Sequence, residues 1–151
     1  MLQRSRHRTQ KKGNALIEFA LAFVFLLPIF LGTFQFGLTF FYYNELVNSV
    51  RAAARFAGMR NYDSPNSTPS AAYVASVKNV AVYGNPSGGT TPVVPGLKLE
   101  NIQVSLTFLD GVPATVRVGV VNFSMNAIVK KITVSKPYSV FPYLGVYMPA
   151  Q

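Results

Sequence analysis

Three patterns of apolar and polar positions succeed one another along the chain. Residues 19–43 (FALAFVFLLPIFLGTFQFGLTFFYY) carry no charge, and only Thr33, Gln35, Thr39 and the tyrosine hydroxyls interrupt the apolar run. As a helix rising 1.5 Å per residue this stretch reaches about 38 Å, enough to cross a hydrocarbon core of about 30 Å with tilt. From Asn44 the pattern becomes amphipathic. Leu46 or Val47, Val50, Ala54, Phe56 or Ala57 and Met59 approximate one helical stripe, with Asn48, Arg51 and Arg55 off it. Gly58 and the turn-rich NYDSPNSTPS end the pattern, which predicts one helix over about 14–58, some 65–70 Å long.

Beyond that break the periods shorten. Ser70 is positioned to cap a second helix over 71–83, with Tyr73, Val74, Val77, Val80 and Ala81 on one side and Gly84 at its end. Residues 99–109 then alternate strictly. Ile102, Val104, Leu106 and Phe108 face one way, and Gln103, Ser105 and Thr107 the other. Asp110-Gly111 is a hairpin turn signal, and Val116, Val118 and Val120 begin a second strand with Arg117 outward. A third strand is expected over about 128–135, with Lys130 against the apolar parity. The short connections imply antiparallel pairing. The aromatic, proline-rich tail 137–151 reads equally as an irregular cover, an edge strand or a contact surface. The fold class is α+β: a long N-terminal transmembrane and amphipathic helix, then a small antiparallel sheet domain with one further helix.

Charge changes the picture only at the N-terminus. Of the formal net charge of +9, five charges come from Arg4, Arg6, Arg8, Lys11 and Lys12 within the first twelve residues. A basic cluster directly before an apolar span is a topology signal that places the N-terminus in the cytoplasm and the following domain outside. Arg51, Arg55 and Arg60 on the far flank make the bias moderate. The same placement argues against nucleic acid as a partner. The head resembles the start of an export signal, but the apolar run is about twice the usual length, and no small-x-small cleavage site closes it.

Little in the chain could carry catalysis. Cysteine is absent and the single histidine, His7, lies in the basic head. Beyond Glu18 the acids are Glu45, Asp63, Glu100 and Asp110, all widely spaced, so no nucleophile–base pair or three-ligand metal site can be assembled. The loop GNPSGGTTPVVPG lacks the Gly-Lys-Ser/Thr ending of a phosphate loop. We expect no enzyme activity, no cofactor, no metal and no small-molecule substrate.

Glu18 is the residue that a plain anchor leaves unexplained. A carboxylate in the span costs about 2.5–3.5 kcal/mol near the helix centre and less at the interface, and buried charges persist mainly when paired. Either Glu18 points back to the headgroups or it serves a charged partner. Gly13 lies at the junction of head and span, where glycine weakens a helix by about 1 kcal/mol relative to alanine and leaves the backbone accessible to a protease. A cut after Gly13 creates a new α-amine on Asn14, four residues before Glu18.

A basic leader, Gly13, then Glu18 and Phe19, resembles the type IV prepilin processing site in the form found in the tight-adherence (Flp/Tad) pilus system. Glu18-Phe19-Ala20, Leu27-Pro28, Phe36-Gly37 and then Asn48, Arg51, Ala54 and Arg55 resemble the TadE-like family of minor pilin-like proteins. Gln35 departs from the pattern, which often has an acid before Phe-Gly. The resemblance covers residues 11–58. It implies three regions: a leader, 1–13, removed by a prepilin peptidase; a helix, 14–60, transmembrane over about 19–43; and an extracytoplasmic α+β domain, 61–151.

The resemblance further implies a single-pass protein of the bacterial inner membrane, in or at the base of a pilus. Its partners would be the peptidase, other pilin-like subunits, inner-membrane assembly proteins and the lipid bilayer. Glu18 and Phe19 would serve assembly, with Glu18 binding the new N-terminus of a neighbour. Pro28 should kink the helix by removing an i→i−4 bond. Arg51 and Arg55 share a face at i,i+4 and read as subunit contacts or as a pair facing solvent or lipid phosphate. The rival reading is an uncleaved, signal-anchored envelope scaffold.

Overall fold

Among the described residues, two helices, a three-stranded sheet and a two-stranded sheet form the fold. The computed structural model describes residues 6–126 and 131–147. Residues 1–5 of the expected leader, Lys130 and residues 148–151 of the tail lie outside the described residues. The elements are α1 (Arg6–Met59), α2 (Ala71–Tyr83), a 3-10 turn (Leu99–Asn101), β1 (Ile102–Leu109), β2 (Val112–Val120), β3 (Phe123–Asn126), β4 (Lys131–Val134) and β5 (Tyr138–Pro142). The chain divides into two units, residues 1–38 and 39–151.

The first unit is helical throughout its described length. Helix α1 begins at Arg6, upstream of the expected start near residue 14. Arg, Lys and Gln are good helix formers, and their summed propensity carries the helix through Gly13 despite that residue's cost of about 1 kcal/mol. It also runs through Pro28 without a break. In the next turn the Thr33 hydroxyl donates to the Ile29 carbonyl at 2.9 Å.

In the second unit, Ser70 accepts the Tyr73 backbone N–H at 3.0 Å and starts α2. Gly84, left-handed at φ 70°, ends it by donating to Val80 O. The hairpin follows the alternation of the sequence: Asp110 and Gly111 both have positive φ, 51° and 80°, as a two-residue type I′ turn requires. Strand β2 begins at Val112, four residues earlier than its clean alternation suggests. A register shift after Thr107, opposite the Pro113–Thr115 stretch, breaks the period-two signal there.

Strand order in the main sheet is β1-β2-β5, with both pairings antiparallel. The tail therefore supplies an edge strand, and β2 is central. Strand β3 carries no distinct signal in the sequence. It pairs with β4, so the expected third strand becomes one arm of a separate two-stranded sheet. A single core joins Leu46, Val50, Ala53, Ala54 and Ala57 of α1 with Tyr73, Val77, Val80 and Ala81 of α2. Ile102, Val116, Val118, Val120 and Phe123 complete it from the strands. The α1 positions recur at helical spacing on one face, which is why the amphipathic half of the helix is legible before any contact is seen.

After β5 the chain closes on the end of α1. Leu144 and Gly145 N–H groups both donate to Gly58 O, at 2.7 and 2.9 Å, and the Tyr143 hydroxyl donates to Arg60 O at 2.9 Å. The Tyr73 hydroxyl donates to Ala57 O at 2.6 Å. These are carbonyls that a helix terminus leaves without intrahelical partners. Tyr62, fully buried, packs against the rings of Tyr73, Phe108 and Tyr147 and donates its hydroxyl to Asn66 O at 2.6 Å.

Candidate functional site: the apolar helix and the arginine groove

In the first unit, the residues singled out by sequence lie on one helix and are exposed. Gly13, Asn14, Glu18 and Pro28 are all exposed, and an added Cβ at Gly13 would meet nothing within 4 Å. Asn14 and Glu18, four apart, share a helix face. Phe19 is 68% exposed and touches Phe23, ring centroids 6.1 Å apart. Sixteen large apolar side chains between positions 16 and 41 stand exposed. At about 1.5–3 kcal/mol for each such side chain fully buried, leaving this surface in water forgoes on the order of 25–50 kcal/mol. The segment is long and apolar enough to cross a membrane, and none of its most apolar window is buried within the chain. A shallow apolar groove of about 680 Å³ runs past Pro28, lined by Phe23, Leu26, Leu27, Ile29, Phe30 and Thr33. It presents shape without polar chemistry, suited to lipid chains or another helix.

In the second unit, Arg51 and Arg55 are brought together as the i,i+4 spacing predicts. They line a groove of about 640 Å³ with Ala52, Phe56 and Met59 of α1 and Ser139 and Phe141 of β5. Both arginines are exposed, and among the described residues the one salt bridge is Lys98–Glu100 at 3.5 Å. Sequence reasoning found the arginines but not Ser139 and Phe141, which arrive from more than eighty residues away and carry no local signal.

Sequence reasoning also missed the tyrosine cluster that closes the domain. Burial pushes the hydroxyls of Tyr73, Tyr62 and Tyr143 above their ordinary value of 10.0. For Tyr73 the neighbouring Tyr143 adds to the rise and Arg60 opposes it. All three hydroxyls are donors at neutral pH, and their role is to tie α1, the loop after it and the tail together. Arg117 stacks over the Tyr138 ring at 4.1 Å on the open face of the sheet. Among the described residues no three His, Asp or Glu side chains cluster closely enough to hold a metal ion.

An exposed apolar helix of membrane-spanning length thus runs into the amphipathic half of α1, which shares the core of a small α+β domain. The model of the family described as TadE-like protein matches residues 13–55, from the junction glycine to the second groove arginine. Through that segment the chain is similar to the TadE-like family. Residues 56–151 lie outside the match. No match is found among curated proteins or among solved structures.

Proposed function

We propose that this is a minor pilin-like subunit or assembly factor of a Flp/Tad-type pilus. It is held in the inner membrane by one pass, with its N-terminus cytoplasmic. A prepilin peptidase cuts it after Gly13. The observation that carries this reading is the Glu18 carboxylate, exposed at the head of the uncharged run 19–43 inside the segment that matches the family. Cleavage creates the Asn14 α-amine. Glu18 of one subunit then binds that amine on a neighbour, which cancels both charges in a low-dielectric bundle and sets the axial stagger between helices. Phe19 packs beside the pair, and Pro28 lets the helix bend as the bundle closes. Other pilin-like subunits and the inner-membrane assembly proteins are the partners.

The unbroken helix through Gly13 favours a second reading, an uncleaved envelope scaffold anchored by its signal. A peptidase needs the bond extended, so the helix must open locally; glycine lowers the cost of opening relative to alanine by about 1 kcal/mol. N-terminal sequencing after coexpression with a prepilin peptidase separates the two. The expected new terminus is Asn14, and an intact Met1 would sink the processing step. With Glu18→Ala we expect cleavage to survive and incorporation or pilus assembly to fall at least tenfold. Unchanged piliation would remove the role assigned to the carboxylate.

A further inference from the structure

We infer that the groove between α1 and β5 is a docking site for an extended, acid-bearing segment of a different protein, added as a strand to the open edge of β5. Two backbone bonds fix which way β5 presents its polar groups: Val120 N–H donates to Pro137 O at 3.0 Å, and Tyr143 N–H donates to Ala114 O at 2.9 Å. In an antiparallel ladder the bonded pairs alternate, so Ser139 and Phe141 exchange bonds with β2, while the N–H and C=O groups of Tyr138 and Val140 point to the other side. No backbone partner meets Tyr138 or Val140 on that side among the described residues. An unpaired edge of this kind is a template for one more strand.

The opposite wall specifies what that strand carries. Arg51 and Arg55 line the groove over an apolar floor of Phe56, Met59 and Phe141, and neither arginine has an acidic partner among the described residues. Four residues of helix separate them by about 6 Å along the axis. Acids at i and i+2 of an extended strand are about 6.8 Å apart, close to the same step. The groove's volume, about 640 Å³, falls within the roughly 300–1,000 Å³ of clefts that hold ligands. A second copy of this chain does not fit the charge pattern. Its five acids, Glu18, Glu45, Asp63, Glu100 and Asp110, are nowhere closer than ten positions, so no segment of it offers two within one strand. The occupant is therefore a segment of another protein in which acids alternate with apolar residues. This inference stands on the second unit alone and does not depend on cleavage at Gly13 or on pairing by Glu18.

The test uses the full-length protein in nanodiscs of uncharged phosphatidylcholine and a fluorescein-labelled ten-residue peptide of alternating Glu and Val, read by fluorescence anisotropy. Three comparison probes are an alternating Lys–Val peptide, a Glu–Pro peptide of equal charge that cannot extend a ladder, and phosphatidylglycerol vesicles as competitor. We expect the Glu–Val peptide to bind and the Lys–Val peptide not to. We expect at least tenfold weaker binding for Arg51→Glu with Arg55→Glu, for Val140→Pro, and for the Glu–Pro peptide. The arginine pair is exposed on a helix surface, so its reversal leaves folding intact. The Glu–Pro arm tests the ladder even if Val140→Pro does not fold. Absence of Glu–Val binding overturns the proposal. So does equal binding of the Glu–Pro peptide, which marks a plain anion site, or displacement by phosphatidylglycerol at equal charge, which marks a lipid-facing surface.

Discussion

Alanine in place of Gly58 puts the closure of the tail on α1 to a direct test of sign. In an ordinary helix, glycine to alanine stabilises by about 1 kcal/mol. At this position an added Cβ would lie 2.8 Å from Phe141 Cδ1 and 2.8 Å from Pro142 O. The phenyl ring can shift, but the carbonyl is held. Its neighbours Tyr143, Leu144 and Gly145 are bonded to Ala114 O and Gly58 O, and Phe141 is in register with Val116 of the central strand. Forcing a methyl into such a contact typically costs about 1–3 kcal/mol. Set against the helix gain of about 1 kcal/mol, this leaves Gly58→Ala destabilising the second unit by up to about 2 kcal/mol, a fall of roughly 4–8 °C per kcal/mol for a small domain. The assay is thermal and urea unfolding of the full chain in detergent, followed by near-ultraviolet circular dichroism of the tyrosines. Adding Phe141→Val removes one of the two clashes and should restore part of the loss after allowance for its own truncation. Gly37→Ala, with nothing within 4 Å, is the control and should leave that transition unchanged. A Gly58→Ala protein as stable as the parent, or more stable, would refute the close approach of β5 to the helix.

Two further substitutions and a pH series probe the same closure. Tyr73→Phe leaves the Ala57 carbonyl without its 2.6 Å partner in a buried site and should cost about 1–3 kcal/mol in urea unfolding; a change under about 0.5 kcal/mol would argue against that bond. Ser70→Ala removes the cap on α2 and should cost about 1 kcal/mol, recovered mostly by Ser70→Asp in the same assay. The folded-state pKa values of Tyr62, Tyr73 and Tyr143 lie above the unfolded value of 10.0, so their neutral forms stabilise the fold in full below pH 10. That contribution drains away as pH rises above 10 and through the folded values. Absorbance at 295 nm should show a late-titrating tyrosine fraction that ionises together with loss of tertiary structure, and early, fully independent ionisation of all eight tyrosines would contradict the burial.

Local chemistry made much of this fold legible. Ser70 and Gly84 mark both ends of α2, the alternation from Ile102 to Phe108 marks β1, and Asp110-Gly111 marks the turn, because each signal is read within a few residues. The amphipathic half of α1 was legible for the same reason. What escaped depends on partners far along the chain. Gly58 reads as a helix stop, yet its small size serves a strand more than eighty positions later. In β5, Ser139 and Phe141 face the groove while Tyr138 and Val140 face outward, so both faces are mixed and no alternation stands out. β3 spans only four residues and pairs with a β4 that opens on Lys131. The groove followed the same division: its arginine wall is written in one helical turn, its strand wall only in the sheet.

The closure of the tail also sets an order of events in folding. The bond from the Tyr143 hydroxyl to Arg60 joins positions 83 apart, so it forms only after nearly the whole second unit has been synthesised. Until residues 138–147 arrive, β2 has one bare edge, and the carbonyls of Gly58 and Arg60 lack these partners. Contacts of such long span are slow to find because the loop must be closed first. The domain therefore spends its synthesis unfinished, with an adhesive edge exposed. A shortened chain stopping before Tyr138 would be trapped in that state, as an aggregation-prone intermediate.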